Sequence, residues 1–216
     1  MSDDPRQRAR VHGLYAILNL PEASTDPGSR IRLARSLCAG GTRLFQLRAK
    51  NSPAEKILSV AEELLAVLRP AGARLILNDR LDLAMAVGAD GVHLGQSDLP
   101  PVDARKIAPD GFLIGLSTHT PDQVRAATRL PVDYLGFGPI FPTASKPDAE
   151  TPQGIAGLRD VRQLTDLPLV AIGGITVAKT PEVRAAGADA VAMIGALEEA
   201  SDPEILAAQL GRPAAG

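Results

Sequence analysis

The chain has 216 residues, which suits one domain or two small ones and allows a substantial buried core. Its formal net charge is -2 at pH 7 with both signs spread along the sequence, so nothing electrostatic favours nucleic acid or an acidic membrane as its main partner. Aromatic residues make up 3% of it and Trp is absent, which argues against base- or sugar-stacking platforms.

In chain order, residues 1–10 are charged and no apolar leader segment follows them. We expect a flexible tail at 1–12, a single domain at 13–210 and a second flexible tail at 211–216. No apolar run approaches the roughly 20 residues that would span a bilayer, and the expectation is a soluble cytoplasmic protein. The first β-type run is 14–20. The helix-like stretch 31–38 holds the single cysteine, Cys38, which has no disulfide partner and reads as a core or near-core thiol. A second β-type run, 44–49, leads to the amphipathic segment 53–68, with Pro53 as a first-turn residue after Ser52 as N-cap. Further strands are predicted at 75–79, 91–95, 113–118, 134–140, 169–175 and 190–197, and helices at 121–130, 154–164 and 176–186.

Strands recurring about every 25 residues with helices between them predict parallel pairing through crossover connections. An internal echo agrees: Val87-Gly88-Ala89-Asp90-Gly91-Val92 resembles Ala186-Gly187-Ala188-Asp189-Ala190-Val191, with a glycine ending a helix before a buried strand. Eight such units predict a single-domain (β/α)8 TIM barrel near the small end for that fold. The rival, an open doubly wound sheet, calls for a Gly-rich loop after its first strand. Here that strand runs into Asn19-Leu20-Pro21-Glu22 instead.

A parallel barrel builds its site at the C-terminal ends of its strands. Strand two ends with Gln46, Arg48 and Lys50 alternating onto one face, two of them cations. Strand three ends at Asn78-Asp79, and strand four runs into Gly95-Gln96-Ser97-Asp98. Asp79 and Asp98 could each be a cap or turn residue. As a pair facing cations they suit a hard divalent metal bridging to phosphate. Strand five ends Ser117-Thr118-His119; Ser117 is a candidate donor, and His119 reads as a positioned histidine rather than a base. His93 lies within strand four and reads as a satisfied barrel-interior histidine. Strand six runs into Gly138-Pro139-Ile140-Phe141-Pro142-Thr143-Ala144-Ser145-Lys146, where glycine, hydroxyls and a lysine suit an anion, and 147–152 could close over the mouth. Strands seven and eight end in Gly173-Gly174 and Ile194-Gly195, where barrels bind phosphate through backbone N–H groups. Two anion-binding halves on one mouth imply two phosphorylated small-molecule substrates.

Taken in order, Gln46-Leu47-Arg48-Ala49-Lys50, Asn78-Asp79-Arg80, Gly91-Val92-His93-Leu94-Gly95-Gln96-Ser97-Asp98, Gly115-Leu116-Ser117-Thr118-His119-Thr120, the stretch from Gly138 to Lys146, and Ala171-Ile172-Gly173-Gly174-Ile175 resemble the thiamine-phosphate synthase family across nearly the whole chain. The resemblance implies a transferase that joins a hydroxymethylpyrimidine diphosphate to a thiazole phosphate with Mg2+ and releases pyrophosphate. It implies that Gln46, Arg48, Lys50, Asn78, Ser117 and Lys146 hold the pyrimidine diphosphate, with Arg48, Lys50 and Lys146 catalytic. Asp79 and Asp98 would bind Mg2+. Thr143, Ser145, Gly174, Ile194 and Gly195 would hold the thiazole phosphate. The implied chemistry is dissociative: pyrophosphate leaves, and the thiazole nitrogen captures a pyrimidine-methyl cation. Gly195 stands where the family often has serine, and the acids of 147–152 have no place in this scheme. Rival readings are a thiazole tautomerase of the same fold, which would lean on His119, and a non-catalytic sensor of thiamine precursors. A homo-oligomer is compatible with the sequence.

Overall fold

The computed structural model describes residues 11–21, 26, 28–143 and 150–211. Eight strands pair in sequence order into one closed barrel: β1 (Gly13–Asn19), β2 (Leu44–Arg48), β3 (Arg74–Asn78), β4 (Gly91–Leu94), β5 (Leu113–Thr118), β6 (Tyr134–Phe137), β7 (Leu169–Ile172) and β8 (Ala190–Met193). Every pairing is parallel, and β8 closes on β1 with Gly13 opposite Ala190. The helices are α1 (Gly28–Ala39), α2 (Ala54–Leu68), α3 (Leu81–Val87), α4 (Pro101–Ile107), α5 (Pro121–Ala127), α6 (Gly154–Arg162), α7 (Thr180–Ala185), α8 (Gly195–Glu198) and α9 (Pro203–Leu210). No helix among the described residues is long and apolar enough to cross a membrane.

The strands read as near-continuous apolar runs because both of their faces are covered. One phase of the two-residue period fills the barrel interior with Tyr15, Ile17, Leu44, Ile76, Leu113, Tyr134, Val170, Ala190 and Ala192, and Val11 is buried with them. The other phase, including Ala16, Leu18, Phe45, Leu47, Leu75 and Leu77, packs outward against the helices. On α2 the buried residues Ile57, Val60, Ala61, Leu64, Leu65 and Leu68 recur at three- and four-residue spacing. Burying each of the larger ones is worth about 1.5–3 kcal/mol relative to exposure. Cys38 is buried on α1, and burial pushes its thiol up, as a core residue requires.

Several boundaries differ from the sequence reading. Strands β6, β7 and β8 stop at Phe137, Ile172 and Met193, three or four residues short of the predicted ends. Ile140 and Ile175 continue the apolar runs because they are buried in the connections that follow, and Leu197 because it is buried on α8. Ser52 does not cap α2: Pro53 holds the N-cap position at φ -58, ψ 147, with no side-chain cap bond. The Ser52 hydroxyl is buried and has no hydrogen-bond partner among the described residues. The predicted helix over 176–186 is divided into a 3-10 turn, Val177–Lys179, and α7.

The echo around Asp90 and Asp189 has a structural meaning. Gly88 and Gly187 both have positive φ, and each is followed by an aspartate that ties down the start of the preceding strand. Leu75 N–H donates to Asp90 and Leu169 N–H donates to Asp189, while Ile114 N–H donates to Asp133 in the same way. Asp133 and Asp189 also pair with Arg105 at 2.5 Å and Arg162 at 2.9 Å. A carboxylate thus bridges alternate strand starts on the face opposite the site.

Candidate active site

The inward phase of β2 carries Gln46 within the barrel and Arg48 at its upper end. Gln46 is 3% exposed, so it belongs to the site's floor. Arg48 Nη1 donates to Asn19 Oδ1 at 2.9 Å at the end of β1. Arg48 Nε, although buried, has no hydrogen-bond partner among the described residues. Asn19 is itself held: Arg30 of α1 donates to its backbone oxygen and pairs with Glu198 of α8 at 3.2 Å. The sequence reading missed Asn19, Arg30 and Glu198. The available signal was an asparagine in inward phase at a strand end.

Lys50 lies beyond β2 and lines a cavity of about 310 Å3 with Asn51, Ser52, Asn78, Asp79 and Arg80. Asn78 ends β3, and Asp79 follows with a left-handed φ of 63° and its N–H bonded to His93 O at 2.8 Å. Asp79 does not cap α3, where Arg80 holds the N-cap position without a side-chain bond. Its carboxyl instead meets that of Asp98. Burial and then Asp98 raise the Asp79 carboxyl from the usual value to about 6, against the opposing pull of Lys50 and Arg48. Asp98 Oδ2 accepts Gly95 N–H at 2.6 Å, which closes the loop after β4 and holds the acid towards its partner. Arg80, which also lines the cavity, has its guanidinium paired with Asp82.

Ser117 stands at the upper end of β5, with Oγ 2.9 Å from His93 Nε2. His93 is a hydrogen-bonded interior histidine, as expected. His119 is a positioned histidine as well, its Nδ1 lying 2.6 Å from Gly138 O. Tyr15 and Tyr134, which sequence reasoning passed over, stand beneath this polar layer.

Across the mouth, Gly173 and Gly174 have φ of 98° and 61°, and the β6 connection lies directly on them. A Cβ at Gly174 would stand 2.4 Å from Pro142 O, so this glycine allows the backbone of that connection to approach β7. Phe141 N–H donates to Gly173 O at 3.0 Å. Thr143 is carried by that connection, whereas Ser145 and Lys146 lie outside the described residues, as does the 147–149 part of the expected lid. Ile194 is the N-cap residue of α8 and Gly195 its first residue. The first N–H groups of such a turn have no partner within the helix.

The fold is thus a closed parallel (β/α)8 barrel with cations, paired acids and glycine-bearing strand ends at one mouth. The family model for thiamine monophosphate synthase matches residues 14–197. A thiamine-phosphate synthase of Albidiferax ferrireducens is 48% identical over 171 residues, covering 79% of this chain and 78% of that one. One from Methanocella arvoryzae is 46% identical over 193 residues, covering 88% and 89%. Among solved structures, a thiamine phosphate pyrophosphorylase from Pyrococcus furiosus superposes with a TM-score of 0.82 at 33% identity, covering 95% of each chain. A 3-hexulose-6-phosphate synthase, at a TM-score of 0.66 and 18% identity, shares the fold. The chain belongs to the thiamine-phosphate synthase family and is an enzyme of the transferase class.

Proposed function

We propose that this chain joins a hydroxymethylpyrimidine diphosphate to a thiazole phosphate, giving thiamine phosphate and pyrophosphate. The observation that carries the reading is the cavity at the barrel mouth that Lys50, Asn78 and Asp79 line together, with Asp98 beside the Asp79 carboxyl. Two carboxylates in contact repel unless a proton or a cation lies between them. Mg2+ commonly takes one or two carboxylates and completes its shell with water and phosphate oxygens. The donor set therefore fits Mg2+, with Asp79 and Asp98 as its protein ligands. Among the described residues no group of three or more His, Cys, Asp or Glu forms, so a metal here would take the rest of its shell from water and substrate oxygens. Bound there, Mg2+ would supply positive charge to the diphosphate as it leaves.

The protein's own groups act around that point. Arg48 offers its unpaired Nε, and Lys50 its ammonium, to the negative charge that grows on the departing diphosphate. Lys146 would add a third cation from the β6 connection. Gln46, Asn78 and Ser117 orient the pyrimidine diphosphate from β2, β3 and β5. Thr143, Ser145 and the backbone at Gly174, Ile194 and Gly195 would hold the thiazole phosphate so that its ring nitrogen faces the pyrimidine-methyl carbon. No nucleophilic side chain is needed, because the thiazole nitrogen forms the new bond as the C–O bond to diphosphate breaks. Holding two reactants together contributes up to about 7–11 kcal/mol in favourable cases.

The test is to incubate purified protein with both substrates and Mg2+ and to measure thiamine phosphate and pyrophosphate. Equal amounts of both products are expected, lost with EDTA and in Asp79→Ala. A folded protein that binds thiazole phosphate and forms neither product would overturn the reading.

A further inference from the structure

A continuous line of polar atoms crosses the otherwise apolar barrel interior. Gln46 Nε2 donates to Tyr15 Oη at 2.9 Å, and Tyr15 Oη lies 2.9 Å from Tyr134 Oη. Tyr134 Oη lies 3.1 Å from His93 Nδ1, and His93 Nε2 lies 2.9 Å from Ser117 Oγ. The line thus runs through β2, β1, β6, β4 and β5 and ends at two groups proposed to touch the pyrimidine diphosphate. Space has been cleared for it. A Cβ at Gly115 would stand 2.1 Å from Tyr134 Cζ, and one at Gly136 would stand 3.1 Å from His93 Cε1. The Tyr134 ring stacks on His93 and meets Tyr15 edge-on, which fixes both hydroxyls in place.

Counting protons gives the line a direction. Each tyrosine hydroxyl carries one proton, and burial pushes both phenols above their ordinary value, so both protons are kept. Tyr15 Oη accepts from Gln46, which leaves its own proton for Tyr134. Tyr134 in turn directs its proton to His93 Nδ1. A neutral imidazole that accepts at Nδ1 donates from Nε2, here to Ser117 Oγ. Ser117 then has its own proton free for the mouth of the barrel.

We infer that Tyr134 is a positioning residue: its hydroxyl holds His93 as the Nε2–H tautomer and thereby fixes Ser117 as a hydrogen-bond donor to an acceptor atom of the substrate. With the opposite polarity Ser117 would direct its proton to His93 and could only accept, and the site would select an N–H group instead. The identity of the ligand rests on the proposed function, whereas the tautomer does not.

The test reads the tautomer directly, by 15N NMR of histidine-labelled, ligand-free protein, with His93 assigned from the signal lost in His93→Gln. The wild type should show a pyridine-type Nδ1 and a pyrrole-type Nε2. Tyr134→Phe should give a mixture of tautomers, with kcat lowered about tenfold and KM for thiazole phosphate unchanged. Gln46→Glu keeps the shape but replaces the terminal donor with an acceptor, and should move the proton to Nδ1. This variant keeps the test open if Tyr134→Phe fails to fold. A pyrrole-type Nδ1 in the wild type would overturn the inference, as would an unchanged His93 spectrum in the folded variants. The expected spectrum in a protein that makes no thiamine phosphate would overturn the proposed function and leave the tautomer assignment standing.

Discussion

Arg48 divides its guanidinium between two tasks, with Nη1 on Asn19 and a buried Nε that has no partner among the described residues. A buried donor left unpaired costs about 1–3 kcal/mol, which an oxygen of the substrate diphosphate would offset. Lysine keeps the charge but loses the planar fork. Arg48→Lys should therefore lower kcat/KM for the pyrimidine diphosphate about 10- to 100-fold in steady-state kinetics. Unchanged kinetics would remove Arg48 from the mechanism. The Asp79 carboxyl, raised to about 6 by burial and by Asp98, brings protons into competition with Mg2+. Apparent Mg2+ affinity should fall by up to about tenfold per pH unit below about 6, read by calorimetric titration. A flat profile between pH 5 and 8 would contradict this. In metal-free protein the same raised carboxyl favours the folded state at pH below its unfolded value, and that contribution is lost as pH rises through about 6. Added Mg2+ should restore Tm on the alkaline side. At Gly195 a Cβ would meet only Glu199 Oε1, at 3.9 Å, so Gly195→Ser should fit without strain. Activity should persist, with equal or slightly better thiazole phosphate affinity; a large loss would place the phosphate elsewhere.

The elements are held from below by the aspartates at the strand starts. Asp189 accepts Leu169 N–H at 2.8 Å and pairs with Arg162, whose side chain is 18% exposed. Removing it leaves a strand N–H without its acceptor and a mostly buried guanidinium with only backbone carbonyls, and no carboxylate, around it. Asp189→Ala should cost about 2–4 kcal/mol in urea unfolding while the folded enzyme keeps its KM values. A loss below about 0.5 kcal/mol would show that the pairing is replaced by solvent. Gly174 works at the other end of the barrel. A side chain there meets Pro142 O and also requires a positive φ, so Gly174→Ala should displace the connection that carries Thr143. KM for thiazole phosphate should rise while that for the pyrimidine diphosphate holds.

For the whole molecule, the barrel was legible because alternating strands and helices leave few closed solutions, and the Asp90 and Asp189 echo marked the repeating unit. The strand ends were less legible. Ile140, Ile175 and Leu197 are as apolar as strand residues, yet the first two are buried in connections and the third on α8, and composition alone does not separate these from strands. The acids were legible as a pair, since Asp79 and Asp98 follow neighbouring strands. The interior line was not, although His93 was recognised as an inward residue. Tyr15 and Tyr134 are 119 positions apart, on strands that are not adjacent in the sheet, and only closure of the barrel brings their hydroxyls together.

That pairing also makes the molecule report on its own closure. The chain has no Trp and only two Tyr, so its near-ultraviolet emission comes almost wholly from phenols in mutual contact at the barrel's centre. A change in tyrosine emission during refolding therefore dates the moment when strands from opposite sides of the ring first enclose a common interior.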